Sequence, residues 1–249
     1  MIASAAVLDV RHLRKAFDGV RAVDDVSFAV DAGSLVALIG PNGAGKTTCF
    51  NCINGQLSPD GGTVALEDAR IDGLAPYAIA RKGVGRTFQV AATFASMSVR
   101  ENVQVALLAH AGAHRGIGAR AADCKRVEAL ALLERVGMTR LADHGCATLA
   151  YGDAKRVELA LALAGKPRLL LMDEPTAGMS PRSRDRLMQL AAEVARSERI
   201  AVLFTEHDMD VVFGHADRII VLDRGRIIAE GTPAAIRANA QVQAVYLGE

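Results

Sequence analysis

The chain has 249 residues, 51% of them apolar, and 29 basic against 28 acidic side chains give a net charge of +1. That length favours one domain with sub-lobes, and the apolar share is enough for a sizeable core. The balanced charge excludes the basic stripe of a nucleic-acid binder, and no apolar run reaches the ~20 residues needed to span a bilayer.

In chain order, "VLDVRHLRKAF" through "AVDDVSFAVDAG" alternates apolar and polar residues, the pattern of half-exposed, antiparallel strands. "LVALIG" is a short run of the fully buried kind, followed by a Gly-rich turn and a helix, "KTTCFNCING", closed by Gly55. "SPDGGTVALEDARI" reads as a turn and a strand. From about Arg100 to Val136 the pattern is helical, interrupted by the connector "AGAHRGIGAR". "AKRVELALALAG" is a further helix, stopped at Gly165 and Pro167. "RLLLMD" and "IAVLFT" are buried strands on either side of the amphipathic helix "SRDRLMQLAAEVARSE". "DRIIVLDRGRIIAEG" gives two strands around an Arg-Gly turn, and the tail has a Pro-started helix. Buried strands alternating with helices predict a parallel sheet covered on both faces.

The opening "MIASAAVLDVRHLRK" lacks the basic start and apolar stretch of a secretory signal, so a reducing cytosol and free thiols are expected for Cys49, Cys52, Cys124 and Cys146. The "CFNC" pair has no second ligand pair, which favours two small buried hydrophobes over a redox or metal site.

"GPNGAGKT" places Gly40, Gly45, Lys46 and Thr47 in the spacing Gly, four residues, Gly-Lys-Ser/Thr, between a buried strand and a helix. Glycines there turn backbone N–H groups toward an anion, and the helix N-terminus adds its positive end. Lys46 brings a charge to the terminal phosphates, and the Thr47 hydroxyl suits Mg2+. "LLLMDEP" ends a buried strand at Asp173, where ligands of a parallel sheet gather. Asp173 is suited to holding Mg2+ through water, and Glu174 to polarising a water for attack on a γ-phosphate. "TEHD" puts His207 at the end of the next buried strand, in reach of that phosphate. Gln89, in "GRTFQ", carries an amide for Mg2+ or the attacking water.

Together these motifs resemble those of the nucleotide-binding subunit of an ABC transporter, over essentially the whole chain. "GPNGAGKT" is similar to the Walker A motif, "LLLMDE" to Walker B with its catalytic Glu, "GRTFQ" to the Q-loop, "TEHD" to the switch-His loop and "LAYGD" to the ABC signature. "GRTFQ", "EHDM", "GTP" and "YLGE" look most like the LivG-type branch of branched-chain amino acid importers.

The resemblance implies an α/β fold: a RecA-like P-loop NTPase parallel-sheet core, an N-terminal antiparallel β lobe and an α-helical signature lobe. The core and β lobe would be residues 1–92 and 164–249, and the helical lobe 93–163. Catalytic roles fall on Glu174, His207 and Gln89. ATP would be bound by Phe17, stacked on adenine, by Gly40, Asn42, Gly43, Gly45, Lys46, Thr47 and Thr48, and by Ala150, Tyr151, Gly152 and Asp153. Thr47, Gln89 and Asp173 would hold Mg2+. Two subunits, identical or paralogous, would close head to tail on ATP and drive permease subunits fed by a periplasmic solute-binding protein. That places the chain at the cytoplasmic face of a bacterial inner membrane.

The chain departs from the common LSGGQ signature at Ala150, Tyr151 and Asp153, and Ser180 stands where an Asp is usual. The negative Asp153 is expected to be offset by Lys155, Arg156 or helix N–H groups, or to point to the ribose rather than the phosphates. Three rivals explain less. A non-transport ABC ATPase would be expected to show a coiled-coil insertion or a second ATPase half. A P-loop kinase leaves "LAYGD" and His207 unexplained. A non-hydrolysing module leaves Glu174 without a role. Solutes other than amino acids (an amide, urea or an aromatic acid) stay open at this point.

Overall fold

The structure, a computed structural model, describes residues 6–87, 93–112 and 124–247. The alternating N-terminal sequence forms two long antiparallel strands, β1 (Ala6–Phe17) and β2 (Val20–Asp31). Asp18 and Gly19 join them, both at positive φ (46° and 85°). A two-residue turn of that hand matches the twist of the strands, which is why Asp-Gly is a strong hairpin signal. It sets Phe17 opposite Val20 at the hairpin tip, where both are exposed.

β3 (Leu35–Ile39) is buried at every position and leads through the glycine turn into α1 (Lys46–Ile53). Phe50 and Ile53 of α1 are fully buried, each worth about 1.5–3 kcal/mol, and this anchors the helix with its N-terminus at the turn. Cys49 and Cys52 are free and buried on the same helix, and desolvation pushes the Cys52 thiol up to about 11. β4 (Gly61–Leu66) and β5 (Ala69–Arg70) complete a four-stranded antiparallel sheet in the order β2-β1-β4-β5.

Two short elements follow that the sequence pattern does not reveal, α2 (Pro76–Arg81) and β6 (Val84–Thr87). α3 (Val99–His110) begins with a capping box. The Ser98 hydroxyl accepts the Glu101 N–H at 3.2 Å, and the Glu101 carboxylate accepts the Ser98 N–H at 2.8 Å. α4 (Arg126–Arg135) and two 3-10 turns, Thr139–Leu141 and Cys146–Thr148, lead to α5 (Tyr151–Leu163). Most of the connector read between α3 and α4 lies outside the described residues.

The remainder alternates strand and helix: β7 (Leu169–Asp173), α6 (Pro181–Glu198), β8 (Ala201–Thr205), α7 (Met209–His215), β9 (Arg218–Asp223), β10 (Arg226–Gly231), α8 (Pro233–Arg237) and α9 (Ala240–Leu247). The second sheet runs β10-β9-β3-β8-β7-β6, with β9, β3, β8, β7 and β6 parallel and β10 antiparallel at one edge. Arg224 and Gly225, again both at positive φ, form the turn that adds this edge strand.

The central strands β3, β7, β8 and β9 are largely apolar because each feeds two cores. Leu35, Ala37, Leu170, Met172 and Phe204 face the helical layer. Val36, Leu38, Leu171, Leu203 and Leu222 face α1 and the four-stranded sheet. The period of two along a strand makes this split. The result is the doubly covered parallel sheet expected from the sequence.

Candidate functional site

The turn at residues 40–45 is shaped by what surrounds it. A Cβ at Gly40 would lie 2.2 Å from the Leu222 carbonyl oxygen, and one at Gly45 would lie 2.3 Å from that of Ala22. Gly43 and Gly45 have φ of 80° and 106°, conformations glycine adopts at no steric cost. The β9–β10 turn supports the loop from outside: the Gly225 N–H donates to the Ala44 carbonyl at 2.9 Å, and the Gly225 carbonyl accepts the Asp24 N–H at 2.8 Å. No side chain caps α1 at Gly45, so its first N–H groups point toward whatever the loop encloses.

Lys46 is buried, and its Nζ donates to the carbonyls of Gly40 (2.6 Å) and Pro41 (3.1 Å). Desolvation lowers its pKa, against the attraction of Glu174 and Asp173. The loop, the lysine and both acids therefore share one electrostatic neighbourhood. The bare amine charge has backbone oxygens but no carboxylate at hydrogen-bonding distance among the described residues, an arrangement suited to an incoming anion.

Asp173 ends β7. Its Oδ1 accepts the Thr205 hydroxyl at 2.8 Å, and its Oδ2 pairs with Arg86 Nη2 at 3.2 Å. Glu174 leaves the strand at φ 46°, a sparsely populated conformation for a residue with a side chain. Its N–H donates to the Thr205 hydroxyl at 3.1 Å, and its Oε1 is 2.9 Å from His207 Nε2. The sequence places these two residues 33 positions apart; adjacent parallel strands β7 and β8 bring them together.

A cleft of about 290 Å³ gathers most of the expected set: Phe17, Asn42, Gly43, Gly45, Lys46, Thr47, Thr48, Glu174 and His207. Phe17 lies at its edge, 44% exposed, with Lys15 Nζ 5.5 Å from the ring centre. Residues 150–153 are not in this cleft. They start α5 elsewhere on the surface, with Tyr151 exposed. Gln89 lies outside the described residues.

One expectation about the α5 segment needs correction. The helix begins at Tyr151 rather than Ala154, so Gly152 and Asp153 are already within its first turn. Of the groups expected to offset Asp153, Arg156 is the cation that does so, its Nη1 3.5 Å from Oδ1. Lys155 turns inward and pairs with buried Glu158 at 3.0 Å. Helical geometry explains this, because neighbouring residues point about 100° apart and only one of them can share a face with Asp153.

Arg86, Thr205 and Glu206 were missed by sequence reasoning. Arg86 sits in four-residue β6 and reaches Asn51 (3.2 Å), Gln56 (2.8 Å) and Asp173. No local pattern distinguishes it from a solvated arginine. Glu206 carried a usable signal: an acid that directly continues a wholly buried strand.

Asp173 and Thr47 each offer oxygen donors, and among the described residues no group of three or more His, Cys, Asp or Glu could hold a metal by itself. A hard cation sharing its coordination with phosphate oxygens fits such a set; a thiophilic one does not.

Comparison with known proteins agrees with this geometry. The ABC transporter family model matches residues 23–177, and the model for the branched-chain amino acid ATP-binding cassette transporter matches residues 226–249. The chain is 41% identical to the high-affinity branched-chain amino acid transport ATP-binding protein BraF of Pseudomonas aeruginosa, covering 99% of each. It is 40% identical to the corresponding protein LivG of Escherichia coli, again over 99% of each. Among solved structures, the ADP conformation of MJ1267, an ATP-binding cassette of an ABC transporter, superposes with a TM-score of 0.87 at 30% identity, covering 98% of this chain and 99% of that one. The chain belongs to the ABC transporter family, as an ATP-binding subunit that hydrolyses ATP.

Proposed function

We propose that this subunit energises import of branched-chain or related amino acids through a partner permease. The observation that carries the chemistry is the single cleft shared by Phe17, the glycine loop, Glu174 and His207. The solute rests on the full-length likeness to BraF and LivG and on the C-terminal match.

In this reading Phe17 stacks on adenine, and the N–H groups at Gly40, Asn42, Gly43, Gly45, Thr47 and Thr48 wrap the phosphates. Lys46 turns from the Gly40 and Pro41 carbonyls to the terminal phosphates. Thr47, Gln89 and Asp173 hold Mg2+, which when bound neutralises charge building on the phosphate oxygens. Glu174 takes a proton from water as its oxygen bonds to the γ-phosphorus and the bond to the β-phosphate oxygen breaks, releasing ADP. His207, held on Glu174, touches the γ-phosphate.

Residues 150–153 start a helix outside the cleft, which supports their serving a second subunit, either identical or paralogous. Residues 93–163 form the helical signature lobe, and 1–92 with 164–249 the ATP-binding core. Beside that lobe an apolar groove of about 440 Å³, lined by Tyr77, Ile79, Val84, Phe94, Val105 and Leu161, is suited to a permease segment. Tyr77 and Phe94 are 69% and 55% exposed at it, more than isolated surface aromatics require. No described helix is long and apolar enough to cross a membrane. The likeness to transporter ATP-binding subunits supports a peripheral place at the cytoplasmic face of the inner membrane. A periplasmic solute-binding protein would deliver the solute.

The test is transport by the reconstituted complex with a panel of solutes. Leucine, isoleucine and valine are expected to be taken up and to raise ATP turnover. Uptake confined to an amide, urea or aromatic acids would overturn the amino-acid reading and leave the ATPase untouched.

A further inference from the structure

The segment after β7 is gripped by four consecutive residues, 205–208, each through its side chain. Thr205 holds Asp173 and the Glu174 N–H. Glu206 accepts both the N–H (2.8 Å) and the hydroxyl (2.7 Å) of Thr176 on its Oε1, and the His207 N–H (3.3 Å) on its Oε2. His207 meets Glu174 at 2.9 Å. Asp208 pairs with Arg184, whose Nε donates to the Met179 carbonyl at 2.8 Å.

Glu206 is the unexpected member. It is 4% exposed, and Thr176 is 1% exposed. Burying a carboxyl is costly unless donors surround it, and a well-packed apolar residue commonly folds as well or better in such a place. α7 does not need Glu206 either, because Asp208 caps that helix through the N–H groups of Asp210 and Val211. The acid spans two pieces of the hydrolytic site. Through Thr176 it fixes the chain two residues beyond Glu174, and directly it fixes the backbone of His207.

Glu174 needs fixing. Its φ of 46° costs free energy and persists only where the surroundings over-determine it. Thr205 restrains the near side of Glu174, and Glu206 the far side. Glu206 is buried, with its Oε1 on Thr176 and its Oε2 on the His207 N–H, so it acts through its neighbours and not on the reacting atoms.

We propose that Glu206 is a positioning residue for ATP hydrolysis: by tying Thr176 to the His207 backbone, it holds the Glu174 carboxylate and the His207 ring at a fixed separation. This rests on Glu174 being the base that activates water.

The experiment compares Glu206→Gln, Thr176→Val and Thr176→Ser in the complex with its permease, measuring kcat, KM and the Kd for ATP. Small misplacements of a catalytic group cost up to about 100-fold in rate, so Glu206→Gln and Thr176→Val are each expected to lower kcat about tenfold or more. KM and Kd stay within about twofold of wild type, the signature of a loss confined to the transition state. Thr176→Ser, which keeps the hydroxyl, recovers most of the loss. The double variant Glu206→Gln/Thr176→Val loses less than the product of the two single losses, because both weaken one link, Thr176→Val by removing the hydroxyl bond while the Thr176 N–H bond to Glu206 stays. Thr176→Val decides alone if Glu206→Gln fails to fold. A kcat within about twofold of wild type in Thr176→Val overturns the proposal, as does a fall in ATP affinity that matches the fall in kcat, or multiplicative losses in the double variant. Hydrolysis surviving in Glu174→Gln overturns the base assignment instead, and is read separately.

Discussion

Glu174→Gln is expected to stop ATP hydrolysis and to leave ATP bound. The glutamine matches the carboxylate in shape, so the turn at φ 46° and the backbone bond to Thr205 are retained. What is lost is the proposed proton acceptor, the carboxylate whose Oε1 is 2.9 Å from His207 Nε2. Removing a general base costs about 10²–10⁴-fold, so kcat in the complex should fall at least about 100-fold. The phosphate-binding loop is untouched, and equilibrium binding of ATP to the variant should stay within about threefold of wild type, a change worth less than 1 kcal/mol. Phosphate release and nucleotide binding, measured on the same preparation, check the two halves. A variant that keeps a tenth of its turnover would remove Glu174 from the role of base.

Gly45→Ala is expected to damage both fold and binding. The new methyl group would sit 2.3 Å from the Ala22 carbonyl oxygen and 3.5 Å from Gly225 Cα, at φ 106°. Backbone strain of about 1–3 kcal/mol and overpacking of about 1–3 kcal/mol combine to roughly 2–6 kcal/mol. At about 2–4 °C per kcal/mol for a chain of this size, Tm falls by at least ~4 °C. Relief requires moving the loop away from the Ala22 carbonyl of β2, which is expected to misaim the N–H groups and Lys46 and to weaken ATP binding. Gly43→Ala separates the two causes. Its φ is 80°, but a Cβ there meets nothing within 4 Å, so it carries the left-handed cost of about 1–2 kcal/mol without the collision. Thermal melts of the two variants side by side should rank Gly45→Ala clearly below Gly43→Ala. Equal melting points would mean that the Ala22 contact does not shape the loop.

Much of this site was readable before folding because its signals are local. The glycine spacing before Lys46, the acids closing "LLLMD" and the His closing "IAVLFT" each mark the C-terminal end of a buried strand, and β3, β7 and β8 are neighbours in the sheet. The Arg-Gly turn between the last two strands was legible from its glycine and the apolar runs on either side, and Gly225 indeed takes a positive φ of 79°. What escaped was either short or distant. β6 and α2 have four and six residues, too few for a period to show. Arg86 meets Asp173 across 87 positions, and only the sheet order makes them neighbours. The start of α5 was misplaced because "AYGD" contains a tyrosine and a glycine of poor helix propensity, and Ala150 offers no side-chain cap.

Phosphate release by the purified chain, alone and assembled with its permease, at saturating ATP and Mg2+, is the most direct measurement. Turnover in the assembled complex that disappears in Glu174→Gln is the expected result. Wild-type chain that binds ATP in the loop around Lys46 and releases no phosphate in either preparation would contradict it.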